Sequence, residues 1–274
     1  AAKAAVSRPL PKTMAEFEKM LADSVHEVDV SVESPFASMS DVEYWNKAVG
    51  VRPDDYLDSI SGGKRIRGSL QLWKDSKDRN ILVDGKLTSA APGPDGAFEV
   101  YGDISRMVIG DNAHHGLLRL RHELNGSGIA RDILRESFEL YQRIGVKTVD
   151  LDANINVGGY AWAKYGFKPD VGEWERFTRY ATEKLKVLES SAPALEGSAR
   201  GVLRGAMSDA ERRALEKLLQ SRDPRTIWAI AEFETASGVK VGKELLLGSF
   251  WHGEIDLSDR EAMARFEAYL RRGR

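Results

Sequence analysis

The chain has 274 residues, enough for one large domain or two moderate ones and for a sizeable core. Hydrophobic residues make up 42% and charged residues 30%, which excludes a disordered chain, and 40 Lys+Arg against 42 Asp+Glu leave a net charge of -2, without the basic footprint of a dedicated nucleic-acid binder. The count of cysteines is 0, which excludes disulfides, Cys-ligated zinc, iron–sulfur clusters and a cysteine nucleophile, and fits a reducing, cytoplasmic setting.

The first residues, AAKAAVSRPLPK, carry positive charge with no apolar stretch behind them, so they do not read as a secretory signal. No window reaches the ~18 consecutive apolar residues of a membrane span, and no membrane partner is expected. Helix starts are marked by Ser or Thr three residues before Glu, where the hydroxyl caps one free amide and the carboxylate reaches back to another. Thr13 with Glu16 predicts a helix over 14–23, and Ser40 with Glu43 one over 41–48. Next come β-favouring runs at 66–73, 79–83, 97–109 and 116–122, with a surface loop at 90–96 rich in Pro and Gly.

The stretch after that loop is the most informative. A strand over 116–122 runs into Asn125-Gly126-Ser127-Gly128, and Ile129, Ile133, Leu134, Phe138, Tyr141 and Ile144 follow near helical spacing, with Gly145 placed to end the helix in a left-handed turn. A strand at 146–151 and a helix at 157–165, closed by Gly166, complete the unit. Its crossover is long enough to make the two strands parallel and right-handed. Further on, Ser208 with Glu211 predicts a helix over 208–220 and Ser258 with Glu261 one over 259–272. Between them Val239–Trp251 is apolar enough for one strand or a buried segment, and Trp228, Phe233, Phe250 and Trp251 read as core aromatics.

A helix that starts directly after a strand and a Gly-x-Gly turn presents unpaired amides, with the positive end of the helix dipole behind them. Such a start suits an anion, commonly a phosphate, and the donors here are the amides of Gly126, Ser127, Gly128, Ile129 and Ala130. A dinucleotide fingerprint is excluded by Arg131 at the third glycine position, and a P-loop by Ser69 where its lysine should follow Gly68. His122-Glu123 has no second histidine in register for a zinc protease, so no metal set is expected.

The turn Asn125–Ala130, its helix and strand, Asn154-x-Asn156 and the closing Ala161-Trp162-Ala163-Lys164-Tyr165-Gly166-Phe167-Lys168-Pro169 occur in an order that resembles the acyl-CoA-binding half of the GNAT superfamily of N-acetyltransferases, over about residues 97–169. The resemblance implies an α+β fold with a mixed sheet around the strand, glycine turn, helix, strand unit. With it the transferase-like domain is placed at 50–170, while the capping signals make both ends of the chain largely helical, a segment at 1–49 and a mostly helical region at 171–274. The resemblance also implies acetyl-CoA or a related acyl-CoA as co-substrate, held by Gly126, Ser127, Gly128, Ile129, Ala130, Arg131 and Asn156, and an amine acceptor that is a small molecule or a protein.

Two positions depart from the family pattern. Glu123 stands where Gln or Arg usually precedes the turn, and Trp162 where a tyrosine often protonates the departing thiolate. Tyr165 is the neighbouring candidate acid, and the candidate bases are Glu123 and His115. His122 reads as a core or rim histidine, the pair His114-His115 as surface or rim, and Asp150 and Asp152 as solvated. Arg119 and Arg121 share a strand face and suit either a ligand phosphate or a salt-bridged face with Glu123. The expected activity is acyl-CoA-dependent N-acyl transfer. The alternative is a non-catalytic scaffold of the same fold, an oligomer or assembly partner.

Overall fold

The computed structural model describes residues 8–33, 40–73, 79–124, 126–153, 158–190, 203 and 205–271. The chain divides after Val149 into two units.

In the first unit the capping residues set the helices. The Thr13 hydroxyl accepts from the Glu16 amide at 3.2 Å to start α1 (Met14–Ala22). After β1 (Glu27–Glu33), Ser40 and Glu43 form a complete capping box at the start of α2 (Asp41–Ala48). Pro53 occupies the first turn of α3 (Pro53–Ser61), where its missing N–H costs nothing. The strands β2 (Arg65–Trp73), β3 (Asn80–Thr88), β4 (Val100–Ile109) and β5 (Asn112–Leu120) follow.

The sheet order is β1-β2-β3-β4-β5, with β1 parallel to β2 and the later neighbours antiparallel, so the sheet is mixed and the fold is α+β. Strand β1 lies within the stretch 1–49 that capping signals alone read as helical. Its period-two pattern of Val28, Val30 and Val32 between polar residues is the strand signature.

Inward residues Ile66, Leu70, Leu72, Ile81, Val83, Leu87 and Ile104 form one core with residues of α1, α2 and α3. Trp45 packs edge-on against Phe17 at 5.2 Å and Tyr56 at 5.4 Å, pairs worth about 0.5–1.5 kcal/mol each beyond their burial. The buried indole N–H donates to the Val51 carbonyl at 2.7 Å.

The helix α4 (Ile129–Arg143) buries Ile133, Leu134, Phe138 and Tyr141, the stripe read from the sequence, and Gly145 follows it with φ 74°. Strand β6 (Thr148–Ala153) then begins beside the start of β5, because the Thr148 hydroxyl donates to Asn112 Oδ1 at 2.7 Å. Arg79 donates to the carbonyls of Ala48 and Ile144, at the C-terminal ends of α2 and α4, where a cation meets the negative end of each helix dipole.

The second unit contains α5 (Gly158–Lys164), the short β7 (Lys168–Pro169), α6 (Val171–Glu189), α7 (Asp209–Leu219), α8 (Thr226–Ala231), α9 (Val241–Leu246), β8 (Trp251–Asp256) and α10 (Arg260–Arg271). The last strand, β8, lies between β6 and β7 and runs antiparallel to β7.

Within Val239–Trp251 the residues Val241–Leu246 form the helix α9, whose buried Val241, Leu245 and Leu246 follow helical spacing, so the stretch holds a buried segment and not a strand. Two expectations are corrected here. The start of α10 is capped by Asp259, which accepts from the amides of Glu261 and Ala262, while the Ser258 hydroxyl turns back to Asp256. Of the four core aromatics, Trp228 and Trp251 are buried, Phe233 is half-buried and Phe250 is exposed. Among the described residues no helix is long and apolar enough to cross a membrane.

Candidate functional site

The glycine turn has the backbone form the sequence suggests. Gly126 has φ 80° and Gly128 φ 88°, values that side chains avoid, and Gly128 sits at the N-cap of α4 with no side-chain cap. An uncapped helix start of this length carries roughly half a positive charge on its free N–H groups.

Two of the five candidate amides are already engaged. Ser127 N–H donates to the Leu124 carbonyl at 3.1 Å, and Ile129 N–H reaches the Ser127 hydroxyl at 3.4 Å. Among the described residues, those of Gly126, Gly128 and Ala130 have no internal acceptor. A side chain added at Gly128 would meet the Arg131 guanidinium at 2.8 Å, so Arg131 folds back over the turn, while one added at Gly126 would meet open space. Cation, dipole and bare amides therefore coincide at one place. Asn156 lies outside the described residues.

Glu123 stands in a 3-10 turn (His122–Leu124) just before the glycines and is exposed. A bond from its own backbone amide and the nearby Arg121 guanidinium, 3.4 Å away, hold its carboxyl below the usual range, so it is an ionised, solvated carboxylate at neutral pH. His122 is exposed as well, contrary to its reading as a core or rim residue, because β5 ends at Leu120 and the alternation stops there. Arg119 binds Asp103 at 2.7 and 3.1 Å and Arg121 pairs with Glu123, so this strand face is salt-bridged, with Asp103 as a partner that sequence spacing did not reveal.

His115 belongs to the interior, not to the surface or rim expected for the pair. Its Nε2 lies 2.9 Å from the Tyr141 hydroxyl, and its ring meets Phe138 edge-on. Burial first, then the nearby Arg106 and His114, push its pKa well below the ordinary histidine value and keep it neutral. Glu123 and His115 thus stand in different surroundings, one in solvent and one in the core.

Tyr165 belongs to the second unit, where it is buried against Trp162 at 5.2 Å and Tyr269 at 3.8 Å. Trp162 also packs on Phe167 at 5.2 Å, and the Phe167 carbonyl accepts from Trp228 Nε1 at 2.9 Å. The segment 161–169 is therefore built into an aromatic core.

Two groups escaped the sequence reading. Asp152, taken as merely solvated, pairs with His252 Nδ1 at 3.2 Å, a cross-strand contact between residues 100 apart in sequence. Arg106 is buried beside His115, and its signal was available: it occupies the inward phase of Ile104-x-Arg106-x-Val108 on β4.

No protein-family model matches the chain, and no curated protein matches it. Among solved structures it is similar to an acetyltransferase from Bacillus cereus ATCC 14579, at 15% identity and a TM-score of 0.21, over 26% of this chain and 48% of that one. The chain thus spans about half the length of that protein.

Proposed function

We propose that the chain is an acyl-CoA-dependent N-acyltransferase of GNAT type, with residues about 50–170 as its transferase-like part. The observation that carries the reading is the uncapped start of α4, where Gly126, Gly128 and Ala130 present amides and the Arg131 guanidinium lies by Gly128. A pyrophosphate is the ligand whose charge and oxygen count fit such a set. Acetyl-CoA or a related thioester is the co-substrate and an amine the acceptor. Glu123, ionised and open to solvent, can take the amine proton through water.

Titration calorimetry with acetyl-CoA tests this. The parent binds, and Ser127→Glu, which sets a carboxylate among the amides without demanding an unusual φ, weakens binding about tenfold or more. A parent that shows no heat of binding overturns the proposal.

A second reading, a non-catalytic scaffold of the same fold, is favoured by the burial of His115 and Tyr165 and by Trp162 within the aromatic core. It predicts a stable oligomer or complex by sedimentation with no CoA requirement. Turnover of acetyl-CoA by a monomer would contradict it.

A further inference from the structure

We propose that the interior of the first unit holds a small planar anion with two oxygens, of the carboxylate class, on the side edge of the Arg106 guanidinium. The site lies in the core behind β4 and β5, apart from the glycine turn, and does not depend on acyl transfer.

Arg106 is 1% exposed and sits where the β4–β5 register shifts: Ser105 faces Leu117 and Met107 faces His114, so β5 carries one extra residue. Its Nη1 uses the two carbonyls at that bulge, Ser105 at 2.8 Å and Leu117 at 2.6 Å. Its Nε and Nη2 have no partner among the described residues, and no carboxylate pairs with it. These two nitrogens form one edge of the planar fork, with the spacing that a carboxylate matches through two parallel hydrogen bonds.

The surroundings repeat the deficit. His115, close enough to Arg106 to feel its charge, has an unpartnered buried Nδ1, and Tyr56, close enough to Tyr141 to feel its charge, has an unpartnered buried hydroxyl. His115 and Tyr141 join the cluster through their 2.9 Å contact. A buried cation with no counter-charge is among the costliest arrangements in a protein interior, and buried donors are almost always satisfied. An acceptor with one negative charge and two oxygens answers both deficits. All the groups are shut off from solvent, so the smallest members of the class, formate and acetate, are the ligands to try.

The test is thermal unfolding of the full chain with sodium formate, acetate or chloride raised at constant ionic strength against gluconate, which is too large to enter. Formate or acetate should raise the midpoint along a saturating curve by roughly 2–4 °C, and Arg106→Lys, which keeps the charge but loses the two-donor edge, should abolish the saturating part. Should Arg106→Lys fail to fold, the wild-type Arg106 Nε–H resonance supplies the readout: it should shift with formate and not with gluconate. A response shared equally by all anions, a response to chloride alone, or none at all, as when only water fills the place, would overturn the proposal.

Discussion

Protonating His115 would set a second positive charge beside the buried Arg106 guanidinium, and the fold resists it. The unfolded chain binds that proton near pH 6.5, whereas the native ring binds it only well below. With the native pKa depressed, the stability is whole above pH 6.5 and falls as the pH drops beneath it, by at most about 1.4 kcal/mol per pH unit from this group. In His115→Phe this acid-side slope should flatten between pH 6.5 and about 5, read by denaturant unfolding at each pH. An unchanged slope would show that His115 titrates normally. The sequence showed that His114 and His115 point to opposite sides of a strand, but not which side was inward, since that depends on where the bulge falls. Arg106 was legible by phase alone. The pairing of Arg119 with Asp103 was not, because it requires the register of two strands.

At the scale of elements, the close approach of α3 and α4 depends on one residue. Gly62 ends α3 with φ 61°, and a Cβ there would lie 2.8 Å from the Ile133 nitrogen and 2.9 Å from its Cα. Both are backbone atoms of α4 and cannot swing aside. Gly62→Ala should therefore cost about 2–5 kcal/mol, combining the left-handed backbone with overpacking, as measured by urea unfolding. A loss below about 1 kcal/mol would mean that α4 can shift freely. The helices whose caps are local, α2 and α7, were legible in the sequence almost to the residue. In α7 the Glu211 carboxylate also binds the Ala236 amide at 2.7 Å, a tie to a distant loop that no local motif announces. The segment Val239–Trp251 was left between a strand and a buried segment for a related reason: a short apolar run suits a strand or a buried helix equally, and only its neighbours decide.

For the whole molecule, the glycine turn, α4 and the following strand and helix were legible because each signal is local. The division after Val149 was not, since it falls inside strand β6 and leaves no change in composition. One boundary carries a consequence for the protein in bulk. The outermost strand of the sheet, β1, displays Glu27, Asp29 and Glu33 on its exposed phase, between three half-buried valines; Glu27 is paired with Arg65 and Arg67, which leaves Asp29 and Glu33 as the like charges along it. Open sheet margins invite a second copy to zip on, and a row of like charges forbids it. Exchanging Asp29→Val should let copies stack in register, so that scattered light grows with concentration in the variant while the parent stays monodisperse. The acids of β1 would then be read as a fence against self-assembly, kept at a place where they add little to the folding of a single chain.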